Sequence, residues 1–533
     1  MDSDTLHYAI APDKKGVRWS VWYPSDDASS HIRALSGTGS QRCVHPASSA
    51  SQALKVMRTL GPWLVDKSDL ACAGVSGVGL LDIHPHIDTL IISKFNTISE
   101  IKNWCLTCRR SKLVIDREHL HKLYVNALNS ERWRLYRLLD DESSRYGLFF
   151  SGTLSAGDTT QLFSILTNGM EHRELILHNS KMSAEMLEKL IQALPTTLRH
   201  LDLTGNSIKD AGAQLIADAL PQLIHLEELN LSNTNIGDAG AQSIADALPP
   251  NLKKLNMLHN YIGDAGAECI ANALPQLVHL EELKLSYNQI GDAGAECIAN
   301  ALPQLIHLKV LNLSANKIGQ IGAQHIADAL PQLIHLEEFN LSNNKIGDTG
   351  AEFIVNALKL KDMKVLNMSH NSIGYTGAQH IANAMQQLIH LEELNLSGNH
   401  LGVAGAQHIA DALPQLIHLE ELNLANNSIG DTGTELIVNA LPPNLKLLNL
   451  SYNSIGDAGV KNIAKFLFKF DAMTHLILDH NNFTHIGVKV IARYLQKRKP
   501  SANLRLKLLS LNGHNVNQDT VAVLQKYCDK VEH

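Results

Sequence analysis

The chain has 533 residues, a net charge of −7 and no run of lysine or arginine long enough to follow a phosphate backbone, so nucleic acid is not an expected partner. Its longest apolar stretch, from Leu70 to Leu81, is interrupted by glycines and too short to span a bilayer, and the first residues lack the basic and apolar segments of a secretory signal peptide. Seven cysteines, an odd number, favour a reducing compartment without a disulfide framework.

Residues 1–145 contain all five tryptophans and no repeat, which indicates a separate N-terminal domain. Local patterns predict a helix over Ser51–Leu60, a strand over Thr89–Ser93, and helices over Glu118–Leu128 and Glu131–Leu139. We therefore expect a small α+β or mostly helical domain, whose function the sequence does not define.

Three groups of residues in this region have the residue types of a catalytic or metal site without its arrangement. The cysteine pair has redox-motif spacing but no strand-then-helix frame, and the histidines after it complete only an irregular zinc set. The glycine-rich stretch lacks the lysine and hydroxyl residue of a phosphate-binding loop. We expect packing roles here, and hence no catalytic residue, metal or cofactor. The groups are Cys105 and Cys108 with His119 and His121, the stretch Gly74–Gly79, and the neighbours Cys43 and His45.

From Leu175 to Val516 the pattern L-x-x-L-x-L-x-x-N-x-I-G-D-x-G-A recurs thirteen times, at spacings of mostly 28 or 26 residues. Such a period is the signature of a solenoid. Within each unit, two leucines separated by one outward residue predict a short strand. The first leucine-type residues of these strands are Leu175, Leu201, Leu229, Leu255, Leu283, Leu311, Phe339, Leu366, Leu394, Leu422, Leu448, Leu476 and Leu509.

An asparagine follows the predicted strand in ten of the thirteen units, where its amide can satisfy backbone groups of its own and of the adjacent coil. Ser180, Thr234 and His514 take this place in the other three units. We predict that the asparagines form a structural ladder. They are Asn206, Asn260, Asn288, Asn316, Asn344, Asn371, Asn399, Asn427, Asn453 and Asn481.

The Gly-Asp-x-Gly-Ala segment then opens a helix, with Asp238, Asp264 and Asp292 among the expected N-caps, and a proline such as Pro303 stops it. Parallel strands stack about 4.8 Å apart whereas helices are about 10 Å wide, so the stack bends with its strands inside. The sequence predicts an α/β horseshoe over residues 146–516, with a degenerate first repeat over 146–166, and a C-terminal capping helix over 517–533.

The unit resembles the ribonuclease-inhibitor-like class of leucine-rich repeats, and especially those of NOD-like receptors, in which N-x-I-G-D-x-G-A opens a helix. The resemblance covers residues 175–516 and implies a solenoid with a parallel concave sheet and convex helices. The near-identical tandem units, with PQLIHLEELNLS repeated, also resemble leucine-rich-repeat effectors that intracellular bacterial pathogens deliver into host cells. Such a fold does not by itself determine the function of the protein.

Columns of equivalent residues separate the scaffold from candidate contact residues. Asn between the strand leucines and Ser two places later are typical of a solvated, self-bonded concave floor, with direct ligand contact as the alternative. Two residues before the strand, Glu and Lys alternate from Glu227 to Lys446, so opposite charges pair across the sheet. Two adjacent repeats break this alternation and form a candidate patch for a basic segment of a partner, unless a repeat duplication produced them. The four residues are Glu392, Glu393, Glu420 and Glu421.

Larger side chains interrupt the floor one place before the ladder asparagine, where other repeats carry Gly, Ala or Asn. These are candidate anchors, with ordinary variation as the alternative, because Tyr and His combine apolar contact with a hydrogen bond. They are His259, Tyr287, His370, Tyr452 and His480. Histidines at one repeat position are interpreted as copies of the repeat rather than metal ligands, and Cys269 and Cys297 as packing residues. The histidines are His225, His279, His307, His335, His390 and His418.

The sequence therefore favours a non-enzymatic scaffold that binds a macromolecular partner, a protein with a basic segment, on the concave face. We expect a monomer without membrane insertion, located in the cytoplasm, or in a host cytosol if the chain is a bacterial effector. Two alternatives remain. The N-terminal region is an enzyme and the repeats recruit its substrate, or the chain regulates small GTPases as similar solenoids do, although it lacks the acidic tail of that family.

Overall fold

A computed structural model describes residues 6–13, 16–22, 43–47, 123–125, 133–138, 145–154, 159, 162–163, 166, 171–358, 362–467, 472–497, 505–514 and 516–533. The chain divides into two compact units. The first comprises Met1–Gly152 and Ser164–Leu175, and the second Thr153–Phe163 and Ile176–His533.

The described residues of the first unit form antiparallel strands. One sheet has the strand order β2-β1-β3. In addition, β5 pairs with β4 and with β6. The strands are β1 (Leu6–Asp13), β2 (Gly16–Trp22), β3 (Cys43–Ala47), β4 (Leu123–Val125), β5 (Trp133–Leu138) and β6 (Arg145–Ser151).

The predicted helices over Glu118–Leu128 and Glu131–Leu139 are wrong where the structure describes them, since β4 and β5 lie there. Leucine spacing favoured a helix, but aromatic and β-branched residues fit a pleated strand better, and both strands contain them. The helix predicted over Ser51–Leu60 and the strand predicted over Thr89–Ser93 lie outside the described residues. In the degenerate first repeat, the described residues 159, 162, 163 and 166 are helical.

The second unit repeats a strand and a helix, as the leucine pattern predicts, and the first of the strands belongs to it only from Ile176 onward. The strands are β7 (Glu171–His178), β8 (His200–Asp202), β9 (Glu228–Asn230), β10 (Lys254–Asn256), β11 (Glu282–Lys284), β12 (Val310–Asn312), β13 (Glu338–Asn340), β14 (Val365–Asn367), β15 (Glu393–Asn395), β16 (Glu421–Asn423), β17 (Leu447–Asn449), β18 (His475–Ile477), β19 (Leu506–Ser510) and β20 (Cys528–Glu532).

The helices alternate with these strands. They are α1 (Ala184–Ala193), α2 (Lys209–Ala219), α3 (Asp238–Ala247), α4 (Asp264–Ala273), α5 (Asp292–Ala301), α6 (Gln320–Ala329), α7 (Gly347–Ala357), α8 (Tyr375–Met385), α9 (Gly402–Ala412), α10 (Gly430–Ala440), α11 (Asp457–Leu467), α12 (His485–Lys497) and α13 (Gln518–Leu524). Five 3-10 turns with the sequence Leu-Pro-Gln continue α2, α4, α5, α6 and α9.

Each strand from β8 to β20 pairs in parallel with the next one along the chain. The predicted strand leucines stand opposite one another, as Leu283 does with Leu255 and Leu311. All three side chains are fully buried, together with the helix residue Ile298. Stacked leucines and helix faces therefore form one continuous core along the unit. We call the surface of the residues that alternate with these leucines the strand face; it corresponds to the predicted concave face.

The C-terminal cap is more than the single helix predicted over 517–533. Helix α13 ends at Leu524, and β20 adds another parallel strand after it, with Val531 opposite Leu509. The strand was missed because CDKVE lacks the leucines of the repeat. Backbone hydrogen bonds to β19 hold β20 in the sheet without leucine side chains of the repeat.

The aspartates of the Gly-Asp-x-Gly-Ala segment cap the helix of the next repeat, so the predicted N-caps are wrong. Asp264 is the first residue of α4 and makes no capping bond to it. Its Oδ1 instead accepts from the amides of Gly291 and Gly294, at 2.6 and 2.9 Å, where α5 begins. Coils stack in register, so each carboxylate reaches the free amides of the neighbouring helix. The same bonds are made by Asp210, Asp238, Asp292, Asp348 and Asp431.

Three repeats in the middle of the unit carry another residue at the place of this aspartate, and the backbone of the next repeat changes with it. Where the aspartate is present, the glycine before the helix is extended, as at Gly291 with φ of −99°. Where it is absent, that glycine adopts a left-handed backbone that glycine tolerates, and its amide donates to a ladder asparagine carbonyl. The replacements and the glycines that respond are Gln320 with Gly347 (φ 62°), Tyr375 with Gly402 (59°) and Val403 with Gly430 (60°).

Candidate partner-binding surface

The ladder asparagines hold the backbone of two coils at once. Nδ2 of Asn316 donates to the carbonyl of Leu285 in the preceding coil, at 3.0 Å, and to that of Leu313 in its own coil, at 3.1 Å. Its Oδ1 accepts from the amide of Ile290 at 3.1 Å. These residues are therefore structural and not available to a partner. Donation to the preceding coil recurs at Asn206, Asn260, Asn288, Asn344, Asn371, Asn399, Asn427, Asn453 and Asn481.

Much of the strand face is closed on itself by hydrogen bonds. Asn312 lies between two core leucines, and its Oδ1 accepts from both the amide and the hydroxyl of Ser314, at 3.0 and 2.7 Å. Groups that find partners within the chain contribute little to recognition of another molecule. The same pair of bonds joins Ser369 to Asn367, Ser397 to Asn395 and Ser451 to Asn449.

The five candidate anchors have left-handed backbone. This conformation costs a residue with a side chain roughly 1–2 kcal/mol and suits glycine or asparagine, which occupy the position in other repeats. Tyr287 and Tyr452 are 56% and 54% exposed. Side-chain size identified this column in the sequence, whereas the backbone requirement became visible only in the structure. The φ angles are 57° at His259, 53° at Tyr287, 53° at His370, 55° at Tyr452 and 52° at His480.

Two pairs of anchors contact each other across neighbouring repeats. The rings of His259 and Tyr287 lie 5.8 Å apart, and those of Tyr452 and His480 stack at 4.5 Å. The ring of His370 fills the space that a side chain at Gly398 would need. Each anchor is thus held by the adjacent coil in one position, which reduces the entropy it would lose on binding.

Among the described residues, three of the four predicted glutamates form no salt bridge. Glu393 on β15 and Glu421 on β16 occupy directly paired positions. Glu420 is bridged to Lys446, but among the residues that the structure describes no cation bridges Glu392, Glu393 or Glu421. We call these three residues the open glutamates. Burial raises the pKa of Glu393, and the carboxylate of Glu421 raises it further.

Alternating glutamates and lysines of the earlier repeats form salt bridges with each other. Lys309 bridges Glu281 at 2.7 Å, and Lys253 bridges Glu227 at 2.9 Å. The hydrogen bond from Lys309 lowers the pKa of Glu281. Each bridge is exposed and contributes little stability, but it leaves no net charge at that place on the surface.

The structure brings some candidate residues together and separates others. His370 follows β14 and Tyr452 follows β17, the strands on either side of β15 and β16, which begin at Glu393 and Glu421. His259 and Tyr287 follow β10 and β11. Since β11 and β15 are four strand spacings apart, these two strands are separated by about 19 Å across the sheet.

The repeated histidines stack along one side of the unit. The ring centroid of His307 lies 6.5 Å from that of His279 and 6.5 Å from that of His335. The ring centroids of His390 and His418 lie 5.5 Å apart. Within the described ranges, no group of three or more His, Cys, Asp or Glu residues is arranged to hold a metal ion. An open depression beside the last two histidines is lined by Asp362, Lys364, His390, Glu392 and His418.

The cysteines offer no reactive site in the described part of the solenoid. Cys269 and Cys297 are half-buried free thiols on α4 and α5. Burial raises the pKa of both, which makes them weak nucleophiles at neutral pH. Cys43 and His45 lie in β3, and the other N-terminal candidates lie outside the described residues: Gly74–Gly79, Cys105, Cys108, His119 and His121.

Comparison with known proteins identifies the repeat. The chain is a leucine-rich-repeat protein. No curated protein matches it in sequence. No helix in the described ranges is long and apolar enough to cross a membrane. The leucine-rich-repeat family model matches residues 195–217, 222–245, 249–271, 276–299, 304–327, 332–355, 359–382, 387–410, 415–438 and 442–464.

Among solved structures, the chain is similar to a TDR receptor, with 18% identity over 68% of this chain and 56% of the receptor, and a TM-score of 0.40. It spans only part of that receptor. An internalin from Listeria monocytogenes shares 21% identity over 59% of this chain and 83% of the internalin, with a TM-score of 0.39. A leucine-rich-repeat protein of Leptospira interrogans shares 19% identity over 72% of this chain and 93% of its own, with a TM-score of 0.37. These values carry no conclusion about function.

Proposed function

We propose that this protein is a non-enzymatic scaffold that binds a protein partner on its strand face, with a basic segment of the partner over Glu393 and Glu421. The observation that carries the proposal is the direct pairing of Glu393 with Glu421, because glutamates of the earlier repeats that stand beside a lysine, such as Glu227 and Glu281, are bridged by it. Like charges directly opposite each other in a sheet are destabilising. A cationic partner removes that repulsion when it binds, so binding is favoured at this place over the closed repeats.

The flanking anchors extend the contact beyond charge. His370 and Tyr452 follow β14 and β17, the strands on either side of those that begin at Glu393 and Glu421, and Tyr452 is 54% exposed. An aromatic residue that packs against the partner excludes water from the charged contacts at its side, which strengthens them. We therefore expect the basic segment to carry an apolar residue beside its lysines or arginines.

The test compares two doubly substituted full-length chains with the unaltered one in affinity capture from cell extract, with quantitative mass spectrometry. Glu393→Gln with Glu421→Gln removes the open glutamates. Glu227→Gln with Glu281→Gln changes the net charge by the same amount at glutamates that lysines bridge. Proteins bound at the strand face should be recovered about tenfold less with the first variant and nearly unchanged with the second. Equal recovery with both variants contradicts the proposal.

The proposal extends to the class and setting of the protein. The 28-residue unit with an α-helix after each strand supports the ribonuclease-inhibitor-like class, and the tandem near-identity of the units supports a role as an effector in a host cytosol. A translocation assay tests the second part: the chain is fused to a reporter that is active only in host cytosol and expressed in an intracellular bacterium. Signal that depends on the secretion system supports it, and absence of signal contradicts it.

A further inference from the structure

One repeat breaks the hydrogen-bonded floor of the strand face. In four other repeats a single asparagine oxygen accepts both the amide and the hydroxyl of the serine two residues later, as Asn312 does for Ser314. On β11 the place of this asparagine is taken by Lys284, and Ser286 still follows. A lysine ammonium has only donors, so the acceptor that the serine requires is missing.

Ser286 shows the consequence of this change. Its hydroxyl oxygen is buried and has no hydrogen-bond partner, and the residue is 1% exposed. A buried polar group without a partner destabilises the fold, and such groups are rare in folded proteins. Residues two apart on a strand share a face, so Lys284 and Ser286 both belong to the strand face.

Glu282 and Tyr287 lie near Lys284 and Ser286 in the chain. Lys284 is at present bridged to Glu282, in a contact that leaves a third of the lysine side chain exposed. Tyr287 follows directly, with its exposed ring 5.8 Å from that of His259. A partly exposed lysine changes partner at little cost, because surface ion pairs contribute little to stability.

We propose that Lys284 and Ser286 bind a carboxylate of the partner, from an aspartate or glutamate side chain. One carboxylate oxygen takes the place of the missing asparagine oxygen and accepts from the amide and hydroxyl of Ser286. Lys284 leaves Glu282 and neutralises the carboxylate, and Tyr287 packs against the adjoining part of the partner. Bonds to an ionised acceptor are stronger than those between neutral groups.

This inference rests on the proposed role of the strand face and adds to it the orientation in which the partner binds. The open glutamates select a basic segment, and Lys284 selects an acidic residue about 19 Å away along the sheet, measured as four strand spacings. Two opposite charges at a fixed separation set the direction in which the partner lies across the repeats.

The test uses the full chain labelled with 15N, with amide resonances followed by NMR during titration with sodium acetate. Sodium chloride at equal ionic strength is the control for screening. The Ser286 amide should shift and saturate with acetate alone, whereas the Ser314 amide, which already has an acceptor, should not. Lys284→Asn restores the repeat pattern, keeps the fold and should weaken the Ser286 response at least about tenfold.

The reciprocal variant Asn312→Lys should transfer the acetate response to Ser314. A Ser286 shift that is equal in chloride, fails to saturate, or persists unchanged in Lys284→Asn overturns the carboxylate site. That outcome leaves the capture experiment on Glu393 and Glu421 unaffected, because the acetate titration involves no partner protein. Conversely, saturable acetate binding with no loss of capture in the open-glutamate variant would separate the two ideas in the other direction.

Discussion

Two regions of the strand face share one scaffold and differ in how their charges are satisfied. Between β9 and β11, Lys254 bridges Glu228 and Lys284 bridges Glu282. Between β15 and β16, Glu393 faces Glu421. Register and strand spacing are the same in both regions, so the difference comes only from which charged residue each copy of the repeat carries. A repeat protein therefore changes its contact chemistry without changing its fold.

The pKa values of charged residues differ between the two regions in the same sense. In the first region, the hydrogen bond that Lys254 donates to Glu228 raises the pKa of Lys254, which stabilises its charged form. In the second region, burial and the facing carboxylate raise the pKa of Glu393, which disfavours its charged form. The charges of the first region are neutralised by partners within the chain, whereas those of the second region can be neutralised by a ligand.

The largest effect should come from removing the scaffold that both regions share. Asn316→Ala leaves the buried amide of Ile290 without its acceptor and removes one of the two ladder donors from each of the carbonyls of Leu285 and Leu313. We expect it to lower the free energy of unfolding by about 2 kcal/mol. Urea denaturation followed by circular dichroism measures it. The control Asn300→Ala changes an exposed position of α5 and should stay within about 0.5 kcal/mol of the unaltered chain. Similar midpoints for the two variants would mean that the ladder does not hold the coils together.

A smaller effect should come from the aspartates that link each coil to the next helix. Asp264→Ala frees the amides of Gly291 and Gly294, and loss of one cap costs about 1 kcal/mol. Asp328→Ala, at an exposed position of α6, is the control and should leave the stability unchanged or slightly higher. Equal destabilisation by both would indicate that the cross-coil cap contributes nothing.

The smallest effect sharpens the contrast between the two regions. At pH 7, Glu393→Gln removes repulsion between facing carboxylates and should stabilise the fold by roughly 0.2–0.5 kcal/mol. Because the folded-state pKa of Glu393 is raised, its contribution to stability is full below the ordinary glutamate pKa and is lost as the pH rises through the folded value. The gain from the substitution should therefore vanish in acid. Thermal unfolding at pH 4 and pH 7 checks this, and a gain that grows in acid would contradict it.

The fold was readable from the sequence because its determinants repeat. Buried leucines and an amphipathic helix act within one unit, and the turn asparagine recurs at one place, so the thirteen copies lead to the same prediction. Contacts between units were not readable in the same way. Asp264 satisfies the local rule for an N-cap yet caps the next helix, and only the stacked coils show that neighbour. The strands β4 and β5 were missed because no repeat corrected an ambiguous leucine pattern.

The site was readable only as deviation from the repeat. The open glutamates and the large anchors stand out in aligned columns, but the left-handed backbone of Tyr452 depends on the turn that holds it. Lys284 was visible as a departure from asparagine, whereas the unsatisfied hydroxyl of Ser286 required the hydrogen-bond geometry. Chemistry that depends on a missing partner can be recognised only where the partners of equivalent residues are known.

The most direct test of strand-face binding is hydroxyl-radical footprinting of the full chain with a captured partner. Tyr452, in the turn after β17 beside the strand face, and Tyr375, at the start of α8, are 54% and 60% exposed, so they form a matched pair of the same residue type. Oxidation of Tyr452 should fall severalfold on binding while that of Tyr375 stays constant. Protection of Tyr375 with Tyr452 unchanged would place the partner on the helices and contradict the account.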